Sequence, residues 1–491
     1  MRRLHLFIAV AFAVPIGVGA VVLAKERETA KLAALQPGEW FPGGTATTRK
    51  AATHRDVFSQ PSRGMGFEEQ SNFQIGNAIF RKLWVSSPAS TKSSDGLGPL
   101  YNARACQNCH LKDGRGHAPS ANWPDDDAIS MIVKLAIPPQ DDSDRKLLAE
   151  RQLSFIAEPT YGGQLQDLSV QGHDGEGRIH ITYTDVPVAL ADGTVIKLRQ
   201  PNYKIVDLKY GALHPQTHLS PRVAPQMIGL GLLEAIPAAD IRAGGDPDDA
   251  NGDGISGRAS IVRSFATKDL TLGRFGWKAA TANVREQSAA AFSGDMGLST
   301  SLRTAPAGDC TKLQTICLNA PHGTTLEAES YEVSDQLLDF TVFYSQNLAV
   351  PRRRNADASE VLLGKSIFST LGCASCHKPS FKTGNVADQK HLSNQVIWPY
   401  TDMLLHDMGE GLADNFVEGT ATGREWRTPP LWGIGLTQVV SGHAQLLHDG
   451  RARNVEEAIL WHGGESQAAR DGFAQLSKVE RDALIRFVNS L

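Results

Sequence analysis

Surplus basic charge is what this sequence lacks first: 49 lysines and arginines stand against 53 acidic residues, a net charge of −4. Nucleic-acid binding needs clustered cations. The only basic run is Arg352-Arg353-Arg354, which reads as a solvated linker. Cysteine is scarce as well, six in 491 residues, so each thiol can be accounted for in turn. Bilayer-length apolar runs are missing beyond residue 24. With 41% hydrophobic and 21% charged residues, extended disorder is excluded, and the length suggests two or three domains.

The one membrane signal is at the N-terminus. Arg2 and Arg3 precede an apolar run from Leu4 to Ala24, broken only by His5 and Pro15. A secretory core normally spans ~7–15 residues, and a bilayer needs ~20. Residues 1–24 are therefore a long signal peptide or an uncleaved anchor. Both put the remainder outside the cytoplasm, in a periplasmic location, soluble or held at the inner membrane.

Two motifs carry chemistry. CQNCH occupies residues 106–110 and CASCH residues 373–377. Thiols at i and i+3 on one helical turn, Cys106/Cys109 and Cys373/Cys376, can each bond the two vinyl groups of a porphyrin. The next residue, His110 or His377, then meets the iron. The rival is a zinc site of four thiolates. Histidine is 15 of 491 residues, so its appearance after both pairs has a chance of about one in a thousand. Two covalent haem c groups are expected. The two thiols left over, Cys310 and Cys317, suit a structural disulfide outside the cytoplasm. Asp249, Asn251 and Asp253 alternate ahead of Gly254, the pattern of a calcium loop or of an acidic solvated turn. Ser260 stands at the twelfth position, where an EF-hand has Glu, and both readings stay open.

After a polar lead-in (25–65), residues 66–350 and 351–491 each hold one motif. Apolar spacing predicts a helix over 359–371 that leads into the second motif. Another closes the chain, with Leu476, Val479, Ala483, Leu484, Phe487, Val488 and Leu491 on one face. Ser477 and Glu480 have capping-box spacing at its start. The expected fold is mainly α: two cytochrome c-like haem domains, the N-terminal one enlarged by insertions with some β-structure. A faint echo links residues 222–232 with 427–436. It reads as a duplicated haem domain or as two similar Gly/Pro-rich loops.

With both motifs placed, the chain resembles the di-haem oxidoreductases labelled peroxidases or thiol oxidoreductases. That group is similar to bacterial di-haem cytochrome c peroxidases and to MauG-type maturation enzymes. The segments that carry the likeness are 95–116, 220–237, 249–258, 273–279, 404–414, 425–435 and 447–465. The resemblance implies a reactive N-terminal haem, with electrons relayed to it from the C-terminal haem. Hydrogen peroxide or a similar small oxidant is the implied substrate, and a small cytochrome or copper protein the electron donor. Relatives place a catalytic Glu ten residues after a Gln; here Gln166 and Glu176 have that spacing, with Val170 where they have Pro. His117 and His173 are further candidates, as ligand and base. Trp123 and Trp277 are candidates for a residue between the irons. For the sixth ligand of the C-terminal haem, Met408, His406, His443, His448 and His462 compete. The relatives' ligand follows an HDG-type turn, here His448-Asp449-Gly450, and their spacing selects His462. Two other functions remain open: a pure electron carrier without substrate, and an oxidase of a partner protein.

Overall fold

The computed structural model describes residues 33–50, 54–324 and 331–491. Residues 1–24, expected to be a signal peptide or anchor, lie outside them. Among the described residues no helix is long and apolar enough to cross a membrane.

The expected mainly α, cytochrome-like fold is not what forms. The chain is only 30% helical and 18% strand. Among the described residues the strands are spread over six two-stranded sheets and one three-stranded sheet. The helical periodicity that suggested an α protein belongs to a few segments beside the motifs. Between them the chain is held by turns and small sheets.

Six helices bear on the site: α1 (Phe67–Phe80), α2 (Val284–Met296), α3 (Asp335–Gln346), α4 (Ser359–Thr370), α5 (Val455–Leu460) and α6 (Lys478–Ser490). Four strands matter too: β1 (Met131–Ile137), β2 (Arg178–Ala189), β3 (Val195–Val206) and β4 (His218–Val223). β1 pairs antiparallel with β4, Val133 opposite Pro221. β2 and β3 form a ribbon of twelve residue pairs. Tyr203 Oη donates to Asp449 (2.8 Å) and Arg199 to the carbonyls of Gly450 and Arg451. These bonds pin the ribbon to the turn at residues 448–450.

A common frame appears twice. α1 packs across α3, and α4 across α6. At each crossing a glycine faces a backbone carbonyl: a Cβ on Gly76 would run into Phe340, and one on Gly364 into Ala483. Phe80 lies 6.3 Å from the ring of His110, and Phe368 lies 6.2 Å from that of His377. The echo segments meet each other. Gly229 (φ +72°) packs on Trp432 and Gly433 (φ +74°) on Ile228, so each glycine faces the residue before the other. That reciprocity is a relation in space, which composition alone does not produce.

The C-terminal helix forms with the predicted capping box of Ser477 and Glu480. Ala483, Leu484, Phe487, Val488 and Leu491 are buried, while Val479 is exposed in the first turn. The basic run is not a solvated linker, because Arg353 is buried and bonds Glu39 and Ser490 Oγ. One core cluster joins Phe292, Met296 and Leu338 to Leu404, Trp432 and Leu436, so the halves on either side of residue 350 share apolar packing.

Candidate functional site

Cys106–Cys109 form one helical turn, and Cys373–Ser375 a turn of 3₁₀ helix. Burial pushes the Cys106 and Cys373 thiols up to about 12, which keeps them neutral. The following histidines are fixed alike. His110 donates from Nδ1 to Pro225 O (2.8 Å), and His377 from Nδ1 to Tyr400 O (3.0 Å). An Nδ1–H held by a carbonyl leaves the lone pair on Nε2, the tautomer of a metal ligand. Burial lowers both rings to about 4, so they stay neutral.

His462 repeats the arrangement, donating from Nδ1 to Ala458 O (2.7 Å), and burial lowers its pKa as well. It lies close enough to His377 for their charges to interact. Among its competitors, His406, Met408 and His448 also line the cavity. His406 is committed elsewhere: its nitrogens meet Asp402 (2.8 Å) and Glu465 (2.6 Å). Burial opposes its charge, but these carboxylates and Cys376 raise it to about 12. His448 stacks on Trp426 at 3.7 Å. His443 donates to Arg115 O and pairs with His117, their ring centroids 5.0 Å apart, and neither lines the cavity. His173 also lies off the cavity.

Both motifs open into one cavity of about 840 Å³. Its wall holds Cys106, Cys109, His110, Cys373, Cys376, His377 and His462. Arg115, Arg222 and Arg427 also line it. Burial lowers Arg115 and Arg427 to about 10, and Arg222 Nη2 is buried without a hydrogen-bond partner. Arg222 is already paired with Glu418 (2.6 Å), so its free Nη2 calls for one more hydrogen-bond acceptor in the cavity. Paired thiols, neutral imidazoles with free Nε2, apolar walls and buried cations are the donor set that would hold a haem. The residues present fit the group at both motifs.

Fold and site together thus define a redox protein built around two haems. The chain belongs to the di-haem oxidoreductase family: the model of that family, described as "Di-haem oxidoreductase, putative peroxidase", matches residues 40–491. No curated protein matches the chain.

Gln166 and Glu176 do come together, but behind the cavity wall rather than on it. Glu176 accepts from Gln166 N (2.6 Å) and from the Gln314 side chain. Burial pushes its carboxyl up to about 8, against those two hydrogen bonds. Of the carboxyls that line the cavity, Asp253, Asp295, Asp309, Glu418 and Glu465, the one that bears on both cysteines of the first motif is Asp295, which the sequence did not single out. It sits in the last turn of α2, accepts from Gln164 Nε2 (2.8 Å), and bears electrostatically on Cys106 and Cys109. Burial raises its pKa, opposed by Gln164 and Lys134. Gln287, also on α2, lines the same wall. A signal was available: Asn283-Val284-Arg285-Glu286 echoes Asn454-Val455-Glu456-Glu457, which opens the helix leading to His462.

Trp277 lines the cavity under the Arg115 guanidinium, while Trp123 is half exposed and stacks on Arg178. In the candidate calcium loop the side chains bond nearby backbone: Asp249 accepts from Gly254 N, Asn251 from Asp253 N and Asp253 from Ile255 N. Such contacts are those of Asx turns. Among the described residues no group of three or more His, Cys, Asp or Glu is gathered to hold a metal ion. Cys310 and Cys317 are joined in a disulfide.

Proposed function

We propose that this is an exported, periplasmic di-haem peroxidase. Haem c is attached at Cys106/Cys109 and Cys373/Cys376, and electrons pass from the His377 side to a reactive His110 side. A small cytochrome or copper protein supplies the electrons. When bound, haem supplies one-electron redox chemistry and, at an open iron, a place for peroxide. The observation that carries this reading is the difference between the two ends of one cavity. Near His377 the cavity holds the imidazole of His462, whose charge bears on that ring, whereas near Cys106 and Cys109 it holds the carboxyl of Asp295.

Reducing hydrogen peroxide takes two electrons and two protons and releases two waters. In this reading Asp295 takes the proton from the inner peroxide oxygen and returns it to the outer one as the O–O bond breaks. Gln164 orients the carboxyl, and is itself fixed because Asp309 accepts from its backbone N–H (3.0 Å). Buried Arg115, whose hydrogen bonds go to the carbonyls of Gln445 and Leu447, would offset the negative charge of the bound cofactor. The test is a ferric EPR and absorption spectrum of the purified protein, with and without peroxide. One high-spin haem that peroxide converts supports an enzyme; two low-spin haems indifferent to peroxide would leave only a carrier. Asp295→Asn should then slow peroxide turnover by roughly two to four orders of magnitude with the resting spectra kept. Turnover near wild type would remove Asp295 from the chemistry.

A further inference from the structure

α2 and α5 are counterparts in the repeated frame. Each is capped by an asparagine whose side chain accepts from the N3 backbone: Asn283 from Glu286 N (2.8 Å) and Asn454 from Glu457 N (2.9 Å). Each begins with a buried valine, Val284 or Val455. α2 packs on α3 as α5 packs on α6. Counted from the caps, cavity-lining residues fall at the same steps: Val284 with Val455, Ser288 with Ile459, and Ala291 with His462. Equal numbers of residues from equivalent caps put side chains at equivalent heights on a helix; His462 lies just past the end of α5, but its ring bonds back to Ala458 O (2.7 Å) and so stays over the last turn.

We infer that Ala291 occupies, at the N-terminal haem, the place from which His462 reaches the C-terminal one, and that it keeps the sixth iron position open to a small ligand. Alanine ends at Cβ and has no lone pair to offer, so residue 291 itself supplies no ligand. The helices also diverge beyond this step. α5 ends at Leu460, and Gly463 follows the histidine in extended backbone. α2 runs on to Met296 and so adds Asp295, one turn beyond Ala291. One helix frame thus presents an imidazole in one half, and in the other a methyl group with a carboxyl one turn further on. The ligand class is small and oxygen- or nitrogen-donating, with peroxide as substrate and azide as probe.

The inference rests on the reading that the His110 haem is the reactive one, and the experiment separates the two. The haem-loaded full chain is titrated with azide, followed by absorption and ferric EPR, for wild type, Ala291→His, Ala291→Leu and His462→Ala. Wild type should show one high-spin haem that takes azide and one low-spin haem that does not. Ala291→His should convert the first to low spin and weaken azide binding by about a hundredfold, because a tethered imidazole competes at high effective concentration. Ala291→Leu should weaken azide binding while the haem stays high spin. His462→Ala should create a second azide site, a result that does not depend on the folding of the Ala291 variants. Two low-spin haems in wild type would overturn the enzyme reading and this inference with it. An open wild-type haem that stays high spin in Ala291→His, with azide affinity unchanged, would overturn the inference alone.

Discussion

Glu176→Gln separates a catalytic carboxyl from a structural one. The side chain is 1% exposed, and its two acceptor contacts are Gln166 N and the amide of Gln314. Burial raises its pKa from an ordinary 4.5 to about 8, so it is neutral in the folded protein at pH 7 and ionised in the unfolded chain. The folded form holds the proton more tightly. Its contribution to stability is therefore complete below about 4.5 and is lost as the pH rises through about 8. At 1.36 kcal/mol per pH unit the total is about 5 kcal/mol, of which about 4 falls between pH 5 and 9. Glutamine cannot ionise, and its oxygen can still accept from Gln166 N. Urea unfolding of both proteins at pH 5, 7 and 9 should show wild type losing about 4 kcal/mol more than the variant. Peroxide turnover of the variant should remain within about a factor of two, because Glu176 does not line the cavity, and so falls short of the usual worth of a general acid or base. Parallel stability curves would refute the burial argument. A fall in turnover of about a hundredfold or more would return Glu176 to the chemistry.

Intact mass after denaturation should exceed the exported polypeptide by two haems, and replacing either cysteine pair with Ala should remove one; a mass that carries zinc or a single haem refutes double attachment. Gly364→Ala puts a Cβ against the Ala483 carbonyl where α4 crosses α6. It should cost about 1–3 kcal/mol in denaturant unfolding, as overpacking does, and a neutral result would mean that the crossing is looser than described. His462→Ala should turn the low-spin haem high spin while Met408→Ala leaves it unchanged, read by ferric EPR; the opposite pattern assigns the ligand to Met408.

The local chemistry was legible in the sequence. CxxCH needs only one turn of helix to align two thiols and an imidazole, so Cys106–His110 and Cys373–His377 could be read without a fold. The C-terminal helix was legible for the same reason, its capping box and buried face being set by spacing within a few residues. The helical share of the whole chain was not. The twelve-residue strands β2 and β3 are held by pairing with each other and by contacts with Asp449, Gly450 and Arg451 far along the chain, which no local period encodes. Nor could spacing find the cavity carboxyl. Gln166 and Glu176 stand ten residues apart and do meet, yet on the far side of the wall. Asp295 reaches the first motif because Asn102 N and Ala103 N, just before Cys106, donate to its backbone carbonyl. Sequence fixes which groups can bond a haem, since that depends on residue type and a few steps of chain. Tertiary structure decides that Asp295 lines the cavity while Glu176 is sealed away from it, since burial and exposure come from contacts between distant segments.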